Sequence, residues 1–216
     1  MERSEIIQKT AVFIARKFTS EGSGHDWFHI DRVRQLALRM GQIEGSDPFI
    51  TEMGALLHDL DDWKLTDTES HFPVKAQRWL AEMGIEADVA TLILKVIEDV
   101  SYQGAGTKTP VRSIEAAVVQ DEDRLDAMGA IGIARTFAYS GYKSRLIYDP
   151  AIAPVMHSDF QSYKNSTAPT VNHFFEKLLL LKDRMNTAAA KSIAEQRHRF
   201  MENYLEQFFN EWEAKT

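Results

Sequence analysis

Helical periodicity is the feature of this sequence that most restricts its fold. Apolar residues recur at three- and four-residue spacings along most of the 216 residues. The period-two alternation that is typical of a half-buried strand is almost absent. Glycine and proline number only 11 and 6, so few positions interrupt the pattern. The sequence therefore predicts an all-α fold.

The apolar stripes and their end signals place the predicted helices along the chain. Pro48 suits a first helical turn, and Asp47 before it is a suitable N-cap. Residues 61–72 and 102–110 read as loops, and residues 141–170 as one long irregular stretch. The predicted helices cover residues 6–18, 25–41, 48–58, 73–84, 87–100, 114–125, 127–139, 172–185 and 188–212. No repeat or linker is apparent, so the sequence predicts a single domain over residues 1–216.

Composition excludes several classes of site. The chain has no cysteine, which rules out disulfides, thiolate zinc sites, iron–sulfur clusters and cysteine nucleophiles. Any metal ion must therefore bind to nitrogen and oxygen ligands. The apolar fraction of 44% and charged fraction of 26% are ordinary for a globular protein.

The predicted environment is the cytoplasm. The first residues do not resemble a signal peptide, and the absence of cysteine suits a reducing compartment. No apolar run approaches the roughly 20 residues that a spanning helix needs, so we expect no membrane partner. The net charge is −7 without a polybasic block, which argues against binding of duplex nucleic acid.

A His-Asp pair stands at the polar end of the third predicted helix. His58 and Asp59 follow the apolar run of residues 49–57 and offer one imidazole and one carboxylate side by side. Two further groups of ligand-type residues have similar positions: His25 and His29 near a helix start, and the acidic residues 121–126 near a helix end. Such a two-histidine, two-carboxylate set suits Mn²⁺, Fe²⁺, Ni²⁺ or Mg²⁺ in octahedral geometry.

A rival interpretation uses only His25 and His29. Their spacing is that of the H-E-x-x-H zinc-protease motif, which requires a general-base glutamate after the first histidine. Asp26 occupies that position and is too short to reach as glutamate does. His25 then lies near the substrate or at a helix start.

The pattern of ligands resembles a known family. His29, His58-Asp59 and Asp123 look like the H…HD…D signature of HD-domain metal-dependent phosphohydrolases, and residues 122–127 resemble that family's A-D-R-L segment. Further stretches resemble a bacterial subfamily of nucleotide pyrophosphohydrolase-like HD proteins, and the likeness covers nearly the whole chain. These stretches are residues 24–29, 61–64, 120–135, 172–179, 185–187 and 197–198.

The resemblance implies an HD-type helical bundle with additional C-terminal helices. The metal-site core would cover about residues 23–130, and subfamily-specific helices and a loop about 131–216. It also implies one divalent metal ion, held by His29, His58, Asp59 and Asp123. Mn²⁺ is the expected ion, with Mg²⁺, Ni²⁺, Fe²⁺ and Co²⁺ as alternatives.

The resemblance assigns a catalytic role to Asp62 together with Asp59. Asp62 follows Asp59 by three positions and would orient or deprotonate the attacking water, whereas Asp61 reads as a solvated loop residue. The candidate phosphate or substrate contacts are Lys64, Arg32, Arg124, His25 and Lys177. Each of the two arginines could instead pair with nearby carboxylates, and Lys177 could form a surface salt bridge, as could His173, Arg197 and His198. Trp27 and Trp63 suit either core packing or stacking on a base.

The implied activity is hydrolysis of a (deoxy)nucleoside triphosphate to the monophosphate and pyrophosphate. One alternative is a nucleotide phosphomonoesterase or phosphodiesterase with the same site, and another is a non-catalytic regulatory module. A two-metal site would need further histidines between Asp59 and Asp123, where only His71 occurs. The expected partner is a small-molecule phosphate substrate. A homodimer is a further expectation, in which the aromatic patch of Phe208, Phe209 and Trp212 would serve for docking, and the same patch suits internal packing equally well.

Overall fold

The chain is built from helices, as seen in a computed structural model that describes residues 1–19, 26–61, 72–100, 111–156 and 166–215. No strand occurs among these residues, so the predicted all-α class is confirmed. The helices are α1 (Arg3–Lys17), α2 (Trp27–Glu44), α3 (Pro48–Leu57), α4 (Val74–Glu82), α5 (Ala87–Val100), α6 (Ile114–Asp126), α7 (Gly129–Tyr142), α8 (Asn172–Glu176), a 3-10 helix (Leu178–Arg184) and α9 (Ala188–Trp212).

The described residues form two compact units, and the boundary between them lies between Asp123 and Arg124. The first contains α1 to α5 and α6 as far as Asp123, and the second contains the described residues from Arg124 onward. The single-domain organisation stays a prediction. None of the described helices is long and apolar enough to cross a membrane.

Helix α3 is the centre of the first unit and packs against α1, α2 and α5. Asp47 is the N-cap of α3, as predicted: its carboxylate accepts hydrogen bonds from the backbone N–H groups of Phe49 (2.9 Å) and Ile50 (3.0 Å). All residues from 51 to 60 are buried. A Cβ atom on Gly54 would lie 2.6 Å from Cγ1 of Val96, so α5 approaches the α3 backbone directly at this glycine.

Helix α2 leads into α3 through a tight turn. Its N-cap is Asp26, whose carboxylate accepts a hydrogen bond of 2.9 Å from the backbone N–H of His29. At its end Gly45 has φ = +77°, a conformation that favours glycine. The backbone N–H of Gly45 donates to the Gly41 carbonyl oxygen at 2.8 Å. Arg34 of α2 contacts Glu52 of α3, whereas the later Gly41 lies close to the earlier Ser46, so the two helices run antiparallel.

Two further contacts hold the outer helices of the first unit. The Trp79 ring of α4 stacks on Phe13 of α1 with a centroid distance of 4.0 Å, and its Nε1 donates to Thr10 Oγ1 at 2.9 Å. Before α6, the Arg112 guanidinium bonds to the buried Asp99 carboxylate of α5 at 2.8 Å. Hydrogen bonds to Asp99 and Glu98 raise the pKa of Arg112, so its guanidinium stays charged at every relevant pH.

The second unit is centred on α9, which packs against α7 and the 3-10 helix. The predicted helix over residues 172–185 is instead α8 followed by the 3-10 helix. Lys177 separates them with φ = −144°, outside the helical region. Leu178 and Leu181 are both buried, and a 3-10 helix aligns side chains three residues apart on one side. The two leucines therefore share the buried side of the 3-10 helix.

The C-terminal aromatic residues pack within their own chain. The Tyr148 ring lies 5.9 Å from that of Phe208, 5.4 Å from that of Phe209 and 5.1 Å from that of Trp212. Arg197 is also an internal residue: its guanidinium donates to the Leu125 carbonyl oxygen, and its side chain covers Gly129.

Candidate active site

Four side chains from three helical segments of the first unit meet at one point. His29 Nε2 lies 3.3 Å from Asp59 Oδ2 and 3.5 Å from Asp123 Oδ1. His58 Nε2 lies 3.4 Å from Asp59 Oδ1 and 3.9 Å from Asp123 Oδ1. Asp59 thus turns one carboxylate oxygen toward each imidazole. The structure brings together the four residues that the sequence predicts as metal ligands.

Helix ends place these residues. His29 is in the first turn of α2, where its backbone N–H is held by the Asp26 cap. His58 ends α3 and Asp59 follows it directly. Because the apolar residues of α3 are buried, the C-terminal end of this helix is buried too, together with His58 and Asp59. Asp123 lies in the last turn of α6. In the first turn of α6, the Glu115 carboxylate accepts a hydrogen bond from the Asp47 backbone N–H, which ties the start of α6 to the start of α3.

The hydrogen bonding of His58 assigns a proton to one of its two ring nitrogens. Nδ1 lies 2.7 Å from the Ala55 carbonyl oxygen, and a carbonyl oxygen can only accept, so Nδ1 carries the proton. In the neutral ring Nε2 then presents a lone pair toward the carboxylate oxygens. Among the described residues this buried Nε2 has no hydrogen-bond partner. A lone pair facing carboxylates is the arrangement expected of a metal ligand oriented by a backbone carbonyl.

The donor set fits a divalent cation. Ligand atoms of His29, His58 and Asp59 all lie within 4.8 Å of one another. Two carboxylates supply two negative charges, and the imidazole and carboxylate donors are those of Mn²⁺, Fe²⁺ and similar ions. The side chains of His29, His58 and Asp59 are 0%, 2% and 7% exposed, whereas that of Asp123 is 32% exposed. Asp123 is therefore the one member of the four whose side chain is substantially exposed to solvent.

The other predicted site residues have different surroundings. Arg32 is half-buried on α2, one turn after His29. In the second unit, Arg124 is buried and its guanidinium donates to the Arg184 carbonyl oxygen, and Lys177 is half-buried between α8 and the 3-10 helix. His25, Asp62, Trp63 and Lys64 lie outside the described residues.

Asp61 and Trp27 have structural contacts. The Asp61 carboxylate accepts hydrogen bonds from the backbone N–H groups of Lys75 (3.1 Å) and Ala76 (3.0 Å), so it caps α4 rather than facing solvent. The expectation that Asp61 is a solvated loop residue overlooked this cap, because its partners are 14 and 15 positions away. Trp27 is partly buried against the hydrophobic core, as its core-packing interpretation requires.

The sequence interpretation missed an ion pair between the two helices that carry the histidines. Arg34 of α2 contacts Glu52 of α3, with Nε 2.8 Å and Nη2 2.6 Å from Oε1. A glutamate inside an apolar helix was the available signal, since buried carboxylates are nearly always paired.

Comparison with known proteins agrees with this geometry. A family model for the HD domain matches residues 27–128, a range that contains all four clustered residues. YpgQ of Bacillus subtilis is 39% identical over 209 residues, which cover 96% of this chain and 94% of YpgQ. This chain belongs to the HD-domain family.

Solved structures of similar proteins share the fold of this HD-domain protein. An HD-superfamily hydrolase from Bacillus thuringiensis is 45% identical with a TM-score of 0.75, covering 99% of this chain and 100% of its own. A protein from Lactobacillus plantarum is 37% identical with a TM-score of 0.85, at the same coverage. The structure of YpgQ in complex with ADP is 37% identical with a TM-score of 0.75, covering 95% and 97% of the two chains. The protein is thus an HD-superfamily hydrolase.

Proposed function

We propose that this protein is a metal-dependent phosphohydrolase that converts (deoxy)nucleoside triphosphates to monophosphates and pyrophosphate. The observation that carries the proposal is the meeting of His29, His58, Asp59 and Asp123 around one point. In this proposal the four residues hold one divalent ion, with Mn²⁺ as the preferred ion.

The orientation of His58 supports metal binding. Its Nδ1–H is held by the Ala55 carbonyl, which leaves Nε2 as a donor beside the Asp59 carboxylate. Protonation of Nε2 would satisfy the same geometry in the metal-free protein, but the second histidine and the second carboxylate extend the set to four donors. A divalent ion at this site supplies charge that polarises a phosphoryl oxygen and acidifies water.

The nucleotide substrate is supported by a relative. YpgQ has been solved in complex with ADP, and it shares 39% of residues with this chain over nearly its full length. A nucleoside diphosphate and a triphosphate have the base, the sugar and two phosphates in common. We therefore place a nucleotide at the site of this protein, with the triphosphate as the hydrolysed form.

The proposed reaction is a single displacement at phosphorus. A water oxygen forms a bond to the α-phosphorus while the bond from that phosphorus to the bridging oxygen breaks, and pyrophosphate leaves. Asp62 accepts the proton of the attacking water in this scheme. Lys64, Arg32, Arg124, His25 and Lys177 are the candidate contacts to the substrate, where positive charge stabilises the developing negative charge. Among these candidates, Arg32 lies in the first unit, three residues after the predicted ligand His29.

The test is product analysis with a panel of nucleotides. Purified protein is loaded with Mn²⁺ and incubated separately with the deoxynucleoside and nucleoside triphosphates, with nucleoside monophosphates and with cyclic nucleotides, and the phosphate products are identified by ion-exchange chromatography. We expect stoichiometric monophosphate and pyrophosphate from at least one triphosphate. Asp59→Ala should abolish turnover, whereas Asp88→Ala, at an exposed position in the first turn of α5, should retain it.

Other products would redirect the assignment. Orthophosphate from a monophosphate would identify a phosphomonoesterase, and opening of a cyclic nucleotide would identify a phosphodiesterase. Mn²⁺ binding without turnover of any nucleotide would identify a regulatory module. Full activity of Asp59→Ala would contradict the site assignment itself. The homodimer stays a prediction, and light scattering of the purified protein would test it.

A further inference from the structure

The antiparallel pair of α2 and α3 has three facing positions along its length. At the inner end, His29 faces His58, with ring centroids 5.4 Å apart. Five residues further along α2, Arg34 faces Glu52, which lies six residues before His58 on α3. At the turn, Gly41 faces Ser46, whose Oγ atom occupies the space that a Cβ on that glycine would need. From the turn to the histidines, each step back along α2 is therefore matched by a nearly equal step forward along α3.

The Arg34–Glu52 ion pair is the middle of these facing positions and the only charged one among the three. Two guanidinium nitrogens of Arg34 converge on one oxygen of Glu52 at 2.8 and 2.6 Å. The Glu52 side chain is 11% exposed and that of Arg34 is 26% exposed. Asp31, on the same helix as Arg34, accepts a further bond of 3.4 Å from Nη1, and Gln35 donates to Asp31 at 2.6 Å. The Arg34 guanidinium is thus oriented by Asp31 of its own helix as well as by Glu52 of α3.

Directional bonds of this kind constrain the axial position of one helix against another more strictly than non-directional apolar contacts do. Most residues of α3 are apolar, and hydrophobic contact is non-directional. A helix rises about 1.5 Å per residue, so an axial slip of one residue, perpendicular to the bonds at Glu52, would lengthen them from 2.8 and 2.6 Å to about 3.2 and 3.0 Å and bend them away from their preferred geometry. The same slip would move His29 away from Asp59 by a comparable distance. Metal-ligand distances tolerate deviations of only about 0.2 Å.

We propose that Arg34 and Glu52 are positioning residues whose ion pair sets the register of α2 against α3 and so holds His29 opposite His58 and Asp59. The proposal rests on the metal site of the proposed function. It predicts that metal affinity depends on the ion pair beyond the contribution of that pair to folding stability.

The decisive variant replaces the pair by apolar residues. In Arg34→Met/Glu52→Leu the buried charges are removed together, a change that is often neutral or stabilising for the fold. We expect the thermal unfolding midpoint to be retained, while the Kd for Mn²⁺, measured by isothermal titration calorimetry, rises at least about tenfold, as for other residues that orient metal ligands. Arg34→Lys, which keeps the charge but loses the two-nitrogen contact, should raise the Kd by a smaller factor.

A matched control separates register from stability. Trp79→Phe removes another directional bond between helices of the first unit, from Nε1 to Thr10 Oγ1, but this bond joins α4 to α1, and neither helix carries any of the four ligands. This variant should lower the unfolding midpoint and leave the Kd for Mn²⁺ within about twofold of the wild-type value.

The outcomes distinguish the two proposals. If the wild-type protein binds no Mn²⁺ in the calorimeter, the metal site fails and the positioning role fails with it. If the wild-type protein binds Mn²⁺ and the folded double variant binds it equally well, only the positioning role of Arg34 and Glu52 is overturned. If the double variant does not fold, Arg34→Lys decides, because an unchanged Kd in that folded variant would also overturn the proposal.

Discussion

Individual residues in the first unit show how contacts, rather than residue type, assign a role. Asp59 and Asp61 are two positions apart and chemically identical. Asp59 faces two imidazole nitrogens at 3.3 and 3.4 Å, whereas Asp61 accepts hydrogen bonds from the first backbone N–H groups of α4. One carboxylate is a candidate ligand, and the other is a helix cap.

Loss of the Asp61 cap should affect stability and not metal binding. We expect Asp61→Ala to lower the free energy of unfolding by about 1 kcal/mol, because two backbone donors of α4 lose their acceptor. Urea denaturation measures the change. Asp61→Asn is the matched control, since asparagine keeps a carbonyl acceptor and should cost much less. Equal losses for both variants would contradict the capping role.

We expect the protein to lose stability at alkaline pH because of Tyr204. Burial and the nearby Glu211 charge raise the pKa of the Tyr204 hydroxyl above its usual value of 10.0. The unfolded chain therefore releases this proton at a lower pH than the folded protein does. The contribution of Tyr204 is fully present below about pH 10 and is lost as the pH rises through the folded-state pKa.

The Tyr204→Phe variant tests this pH dependence. It keeps the ring that stacks on Phe174 at 5.9 Å and removes the titrating hydroxyl. Unfolding midpoints measured between about pH 8 and about pH 11 should fall less steeply in the variant than in the wild-type protein. Tyr142→Phe, at an exposed tyrosine on α7, should behave as wild type. The contribution of Tyr204 is disproved if the two variants have the same profile.

At the scale of elements, the position of α5 depends on the absence of a side chain in α3. Gly54 lies within the apolar α3, and Val96 of α5 occupies the space that a side chain would need. A glycine within a helix usually lowers stability relative to alanine, so its use here reflects close helix packing. The approach brings α5 and the end of α3, with His58 and Asp59, into one core.

Gly54→Ala should therefore destabilise the protein despite the better helix propensity of alanine. The new Cβ would lie 2.6 Å from Val96 Cγ1, and overpacking of this kind costs about 1–3 kcal/mol. Gly54→Ala/Val96→Ala should recover part of that loss, because the second substitution frees the space. Denaturant unfolding of both variants provides the measurement.

A glycine without close neighbours is the control for this prediction. At Gly141 of α7, a Cβ would have no atom within 4 Å beyond its own helix and chain neighbours. Gly141→Ala should therefore be neutral or stabilising by about 0.5 kcal/mol. Stabilisation by Gly54→Ala would show that α5 can move away from α3 at no cost.

At the scale of the whole molecule, ligand binding and folding are linked. A metal ion that binds the four clustered residues in the folded protein and not in the unfolded chain stabilises the folded state by mass action.

We expect Mn²⁺ at about 100 times its Kd to raise the free energy of unfolding by about 2.7 kcal/mol relative to protein in chelator. Hydrogen exchange with and without Mn²⁺ should show the increased protection in α2 and α3, which carry His29 and His58. Asp59→Asn should abolish the increase at the same Mn²⁺ concentration. An equal increase in this variant would place the bound ion at another site.

The sequence by itself determined the helical class, most helix limits and the identity of the clustered residues. Helix formation depends on the spacing of apolar residues and on caps such as Asp47, all of which are local properties. His29, His58, Asp59 and Asp123 were identifiable from their order in the chain because that order resembles the HD-domain signature, and the family match confirms the family.

The tertiary structure decided which of the chemically equivalent residues meet. Asp61 caps α4, Arg34 pairs with Glu52 and Gly54 receives Val96 through contacts between residues 14 to 42 positions apart. The change from α-helix to 3-10 helix at Lys177 is likewise not specified by the sequence pattern, because the spacing of Leu178 and Leu181 suits either helix type. Such contacts depend on how helices pack and in which register, and no local pattern in the sequence specifies that register.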